Sequence, residues 1–181
     1  GRSGSGKTTL LNILSMLDMP TEGWVEFMGK NVSEISESER EQMRRYRMGF
    51  VFQSIALIPV MNAYENVEFS LRLAGYHGNR DERVREILER VGMEKRMEHM
   101  PGQLSGGEQQ RIAIARAVAH HPAVIFADEP TGALDTRSGL AVMHLFRQLV
   151  TDENVTIIMT THDPNLMELG DDIFEMKDGR I

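Results

Sequence analysis

Gly1-Arg2-Ser3-Gly4-Ser5-Gly6-Lys7-Thr8-Thr9 opens the chain and decides how the rest of it is read. Its spacing is G-x-x-x-x-G-K-[ST]. Glycines let the backbone curl until successive N–H groups point inward at phosphate oxygens. Lys7 is placed to reach the β- and γ-phosphates of a nucleotide, and the Thr8 hydroxyl to ligate Mg²⁺. Leu10, Leu11, Ile13, Leu14 and Leu17 follow at helical spacing, so a helix N-terminus adds its partial positive charge beneath the phosphates. A loop of this kind joins a buried strand to its helix. No strand stands before Gly1, so the sequence reads as a fragment whose amino-terminal strands are absent.

At 181 residues the chain suits one domain with a sizeable core. A net charge of −7 argues against a broad nucleic-acid footprint. Cysteine is absent, which excludes disulfides and thiolate metal sites. No apolar run approaches the ~18–20 residues that span a bilayer, so the sequence predicts a chain that meets a membrane only through a partner. The 13 methionines are scattered and read as gap-filling in the core.

Downstream, Pro20 to Gly23 is a turn, Trp24 to Met28 alternates like a strand, and Gly29-Lys30 closes it. Ser36 to Arg45 reads as a charged helix, with Ser36 and Glu39 spaced as a capping box. Met48 to Phe52 is a short apolar strand ending at Gln53, of the kind buried on both faces of a parallel sheet. Asn66 to Ala74 and Asp81 to Val91 read as helices. In the second, Val84, Ile87, Leu88 and Val91 share one face, and Glu86 pairs with Arg90 outside it. Residues 54–120 hold no convincing strand, so they are expected to form a helical subdomain inserted between strands of an α/β core made of 1–53 and 121–181.

Sheet character returns at Ala123 to Ala127, which delivers Asp128-Glu129-Pro130. A helix follows, with Val142, Leu145, Phe146, Leu149 and Val150 on one face. Val155 to Met159 is another buried strand and leads to Thr161-His162-Asp163. Strands alternating with helices predict a doubly wound parallel sheet whose sites lie at the carboxyl ends of the strands. Gln53, Asp128, Glu129 and His162 all sit at such ends. Asp128 is placed to hold the Mg²⁺ hydration shell opposite Thr8. Glu129 can orient and deprotonate an attacking water. Gln53 offers an amide to metal and water, and His162 a donor to the γ-phosphate. His77, His99, His120, His121 and His144 are read as structural.

Leu104-Ser105-Gly106-Gly107-Glu108-Gln109-Gln110-Arg111 opens a helix through Ala119. Two glycines and a serine at a helix N-terminus make a second anion site, although such a start also serves as a simple cap. Two phosphate cradles in different subdomains suggest that one serves a nucleotide held by another copy of the chain.

With these residues in view, the sequence resembles the ABC (ATP-binding cassette) ATPases over its whole length. Leu104, Ser105, Gly106, Gly107, Glu108 and Gln109 match that family's signature. Gly1 to Thr9 matches its Walker A loop, Gln53 its Q-loop, and Asp128 with Glu129 its Walker B end. Ala133-Leu134-Asp135 matches the D-loop and His162 the switch histidine. The resemblance implies a P-loop NTPase fold, ATP and Mg²⁺ as cofactors, and catalytic roles for Glu129, His162 and Gln53. Thr8, Gln53 and Asp128 become the metal side, Gly1, Arg2, Ser3, Gly4, Ser5, Gly6, Lys7, Thr8 and Thr9 the ATP-binding loop. It also implies a head-to-tail dimer, with Asp135 at the boundary and each signature working on the other copy's ATP. Phe50 to Gln53, Leu57-Ile58-Pro59, Glu65-Asn66-Val67 and Thr161 to Pro164 look like the branch that powers lipoprotein release and macrolide export. The expected protein is the ATPase subunit of an ABC transporter or mechanotransmission complex on the inner face of the cell membrane, driving an integral membrane permease, with lipoprotein, peptide or drug export expected. The alternative is a soluble or regulatory ABC ATPase of cell division, DNA repair or the ribosome.

Overall fold

The structure is a computed structural model that describes residues 4–167 and 169–181. Gly1, Arg2 and Ser3, expected to bind phosphate, lie outside the described residues. In chain order the elements are α1 (Lys7–Leu14), β1 (Glu26–Phe27), β2 (Lys30–Asn31), α2 (Glu37–Arg47), β3 (Met48–Val51), α3 (Ala63–Leu73) and α4 (Arg80–Arg90). Then come α5 (Gly106–Val118), β4 (Val124–Asp128), α6 (Thr136–Glu153), β5 (Thr156–Thr160) and α7 (Pro164–Met167).

Apolar strands β3, β4 and β5 pair in parallel in that order, with Val51 opposite Ala127 and Asp128 opposite Thr160. Alternation along β4 sends side chains to both faces. Val124 and Phe126 pack with Leu11, Met16, Val32 and Met48 on one side. Ile125 and Ala127 pack with residues of α5 and α6 on the other. A sheet covered on both faces needs strands that are apolar throughout, which is what these short runs provide. The layers approach closely at Gly49, where a Cβ would collide with the Ala117 carbonyl of α5. Only glycine lets the helix backbone lie directly on β3.

Residues 54–120 hold helices and no strand among the described residues. The stripe on α4 is buried as its spacing predicts: Val84, Ile87, Leu88 and Val91 are fully inaccessible. They share one continuous core with Val67, Leu71, Ile125 and Val142, so the helical stretch packs onto the sheet through α5. The Glu86–Arg90 pair forms outside it at 2.7 Å. The capping box of Ser36 and Glu39 is present at the start of α2.

Three expectations need correction. The Trp24 to Met28 strand shrinks to β1, which pairs antiparallel with β2 across the two-residue turn Met28-Gly29. Both turn residues have positive φ, 51° and 77°, the geometry that matches the twist of a tight hairpin. Lys30 therefore belongs to the return strand, and Trp24 is 74% exposed before the hairpin begins. Helix α3 starts three residues earlier than its apolar pattern suggests, because Asn62 and Glu65 form a capping box ahead of it. Val150 is 36% exposed, since its position one residue past Leu149 rotates it off the buried stripe. No helix among the described residues is long and apolar enough to cross a membrane.

Candidate functional site

The glycine loop folds as its composition dictates. Gly4 and Gly6 take φ of 79° and 96°, the left-handed region that glycine enters without strain, and Gly6 is the N-cap of α1. Lys7, Thr8 and Thr9 then make the first turn of α1, with Thr8 and Thr9 exposed. The loop rests on the carboxyl-terminal turn. Gly179 donates its N–H to the Ser5 carbonyl at 3.0 Å, and a Cβ on Gly6 would stand 3.3 Å from Met176 Cε. The Ser5 hydroxyl is buried with no hydrogen-bond partner among the described residues.

Opposite the loop, β4 and β5 end side by side. The Thr8 hydroxyl donates to Asp128 Oδ2 at 2.9 Å, and the Thr160 hydroxyl donates to Asp128 Oδ1 at 2.5 Å. Both oxygens of the carboxylate are thus aimed. At Glu129 the chain turns sharply, with φ at 44°. A non-glycine residue held there costs on the order of 1–3 kcal/mol, and such strain gathers at functional sites. The turn is held by the Glu129 N–H, which donates to the Thr160 carbonyl at 3.2 Å and to its hydroxyl at 3.1 Å. It swings the Glu129 carboxylate to the same side as Asp128. Lys7 Nζ then lies 3.7 Å from Glu129 Oε1, and His162 Nδ1 lies 3.1 Å from Oε2. Two separate segments, the start of α1 and the stretch after β5, therefore converge on one carboxylate. Gln53, just past β3, is exposed and lies against the turn that follows Glu129: a Cβ on Gly132 would stand 3.0 Å from its Nε2.

The Leu104 to Gln109 stretch occupies the N-terminus of α5. Leu104 is buried beneath it, and Ser105 is the N-cap with a complete capping box. The Glu108 carboxylate accepts from the Ser105 N–H and hydroxyl, both at 2.8 Å. Those bonds, the backbone one first, hold the Glu108 carboxyl below the ordinary carboxylate range. Gln109 ties the loop down by donating to the carbonyls of Pro101 and Leu104, each at 3.0 Å. Gly106 remains exposed and Gly107 half-exposed. Their nearest side chains from elsewhere are Leu134, 3.6 Å from a Cβ on Gly106, and Ser138, 3.3 Å from a Cβ on Gly107. Asp135 lies between those two residues in the chain. It is exposed and caps α6 by accepting from the Arg137 and Ser138 N–H groups at 3.1 Å. Hydrogen bonds from Ser138, its side chain first, hold the Asp135 carboxyl below its usual range.

Lys7, Thr8, Asp128, Glu129 and His162 thus come together, while Leu104 to Gln109 face a different neighbourhood beside Asp135. Sequence reasoning missed Thr160, which fixes both acidic residues. Its signal was its position two residues before His162, opposite Asp128 in register. The Lys7–Glu129 contact was missed as well.

Comparison with known proteins places the chain in a family. The family described as "ABC transporter" matches residues 1–132. An uncharacterised ABC transporter ATP-binding protein of Methanocaldococcus jannaschii, MJ1508, is 48% identical, over 100% of this chain and 81% of its own length. The macrolide export ATP-binding/permease protein MacB of Syntrophobacter fumaroxidans is 45% identical over 100% of this chain, which spans only 26% of that protein. Among solved structures, the ATP-binding cassette MJ0796, a dimer in a post-hydrolysis state bound to ADP and Pi, superposes with a TM-score of 0.87 at 43% identity. That match covers 99% of this chain and 79% of the other. The chain belongs to the ABC transporter family and is one of its ATP-hydrolysing cassettes.

Proposed function

We propose that this cassette is the motor subunit of a membrane transporter. It works as a head-to-tail homodimer, with ATP held between the Gly1–Thr9 loop of one copy and the Leu104–Gln109 signature of the other. The observation that carries the reading is the separation of roles: Lys7, Thr8, Asp128, Glu129 and His162 assemble around the phosphate loop, while Gly106 and Gly107 stand accessible at another helix N-terminus. The dimeric MJ0796 cassette supports the pairing.

Glu129 takes the proton of the attacking water. Its left-handed turn and its contacts with Lys7 and His162 keep the carboxylate aimed. Lys7 neutralises phosphate charge, and His162 positions the γ-phosphate. Mg²⁺ fits the donor set, because the Thr8 hydroxyl and the Asp128 carboxylate are hard oxygens 2.9 Å apart. Thr8 and Asp128, with the Gln53 amide, would hold it. When bound, the ion neutralises charge on the β- and γ-phosphates. Thr160 keeps Asp128 oriented for that role.

Residues 1–53 and 121–181 form the nucleotide-binding core, and 54–120 carry the signature and meet the permease. Residues 54–76, just past Gln53, are the docking segment; Val60 there is 79% exposed. A permease partner and a place on the inner face of the cell membrane are supported by the fusion of both activities in the MacB relative. That relative's name, macrolide export, also favours the export direction, and the cargo proposed is a drug, lipoprotein or peptide. The direct test is Glu129→Gln in the full-length protein. It should retain ATP binding and lose hydrolysis by about 10²–10⁴-fold, the range of general-base catalysis. Turnover within twofold of the parent would remove Glu129 from the role.

A further inference from the structure

Helix α5 presents the signature at one end, and at the other a buried arginine reaches its last carbonyls. Arg83 of α4 is 3% exposed; its Nε donates to the Ala119 carbonyl at 2.9 Å, and a terminal nitrogen reaches the Val118 carbonyl at 3.5 Å. Ala119 is the C-cap of α5, at the end where the helix dipole favours a cation, and the Val118 carbonyl also accepts from the His121 N–H at 3.0 Å. The same guanidinium pairs with Glu153, the last residue of α6, at 2.8 Å, with side-chain exposures of 3% and 4%. Arg90 and His121 reach Glu153 at 3.0 and 3.1 Å, and Glu86 joins Arg83 to Arg90 at 3.0 and 2.7 Å. At the opposite ends of the two helices, Gly106 and Gly107 adjoin Leu134 and Ser138. α5 and α6 therefore run side by side, from the signature and Asp135 at one end to the Arg83–Glu153 pair at the other.

We propose that Arg83 and Glu153 form a positioning clamp for the signature, fixing the angle of α5 against α6 so that Ser105 to Gln109 meet the partner copy's nucleotide correctly. The inference rests on the signature working across a dimer. The 13 residues of α5 make a lever of about 20 Å, so a tilt of about 5° at the clamp displaces the signature by about 1.7 Å. A misplacement of about 1 Å can cost about 10²-fold where catalysis depends on orientation. Stability alone does not require a charge pair here, because apolar residues of similar volume hold buried helices together as well. What the guanidinium adds is direction: it grips two carbonyls of α5 and a carboxylate of α6 at once.

The test uses the full-length protein carrying Arg83→Met together with Glu153→Leu, and separately Arg83→Lys. The paired change replaces the ions by apolar bulk. The lysine keeps a charge for Glu153 but loses the fork that reaches both carbonyls. Melting temperature, ATP affinity of the monomer, ATP-driven dimerisation in a Glu129→Gln background, and kcat are measured. The clamp predicts a folded paired variant with ATP affinity within twofold of the parent, dimerisation weakened tenfold or more, and kcat falling in step. Arg83→Lys should show a smaller loss of the same kind, and it decides the matter if the paired variant does not fold. Dimerisation and kcat within twofold of the parent in the folded variants would overturn the clamp, as would a loss of ATP affinity that tracks the loss of kcat. A parent that fails to dimerise with ATP would instead strike down the head-to-tail reading, and the clamp with it.

Discussion

Glu129 shows how one residue can be placed by its neighbours. Its backbone is strained, its N–H is held twice by Thr160, and its carboxylate is approached by Lys7 and His162. Thr160 is the support that makes this possible, since it also fixes Asp128. Thr160→Val should therefore lower kcat by about 10–100-fold, the usual cost of removing an orienting partner of a ligand. Its stability cost should be only about 1–2 kcal/mol for the lost hydrogen bonds. A kcat within twofold of the parent, measured beside the urea midpoint, would show that Asp128 and Glu129 hold their positions unaided. At this scale the acidic residues and His162 were legible because each stands where an apolar strand stops. Thr160 was not, because a β-branched residue inside a strand is what propensity alone would place there. Its role appears only once the register sets it opposite Asp128.

The elements follow local rules that packing then sharpens. The α4 stripe was readable because its spacing exceeds what chance gives over eleven residues, and every member is buried. The hairpin after α1 was misread because Met28 takes a positive φ that nothing in its side chain advertises. Gly49 is another hidden requirement. Gly49→Ala should destabilise the chain by about 3 kcal/mol, the upper range for overpacking, because its Cβ meets the Ala117 backbone and not a movable side chain. An unchanged melting temperature would mean that α5 does not lie on β3 as described. The α5 cap gives a pH dependence of known sign. The Glu108 carboxyl is held below its ordinary range by Ser105. Its contribution is therefore present above the unfolded-state pKa and is lost as pH falls through the lowered folded value. The protection factors of the Glu108 and Gln109 amides, taken against the intrinsic exchange rate at each pH, should fall as the solution is acidified, and in Glu108→Ala they should already be low at neutral pH. A pH-independent protection in the parent would count against the capping box.

At the scale of the whole molecule, the helix that follows the phosphate loop packs through Leu11 into the core on one side of the sheet, and the signature packs through Leu104 into the core on the other. That arrangement suits a motor that closes by pairing and passes the change to a membrane partner. Photo-crosslinkers placed in residues 54–76 of the full-length protein in native membranes should capture an integral membrane protein. Capture only from α2 would move the docking site. The fold was legible because strand, loop and helix signals alternate in one order. Surface exposure was less so, since Val60 stands out only when its neighbours are seen packed. The central claim is that each active site is built from two copies, and mixing tests it most directly. One full-length subunit carries Lys7→Ala and the other Gly107→Asp, which sets a negative charge against the phosphates. Each alone should fail to close on ATP. Mixed, they should trap one nucleotide per dimer, because one interface then pairs an intact loop with an intact signature. If the mixture stays as inactive as its parts, each site is built within a single chain and the head-to-tail account is wrong.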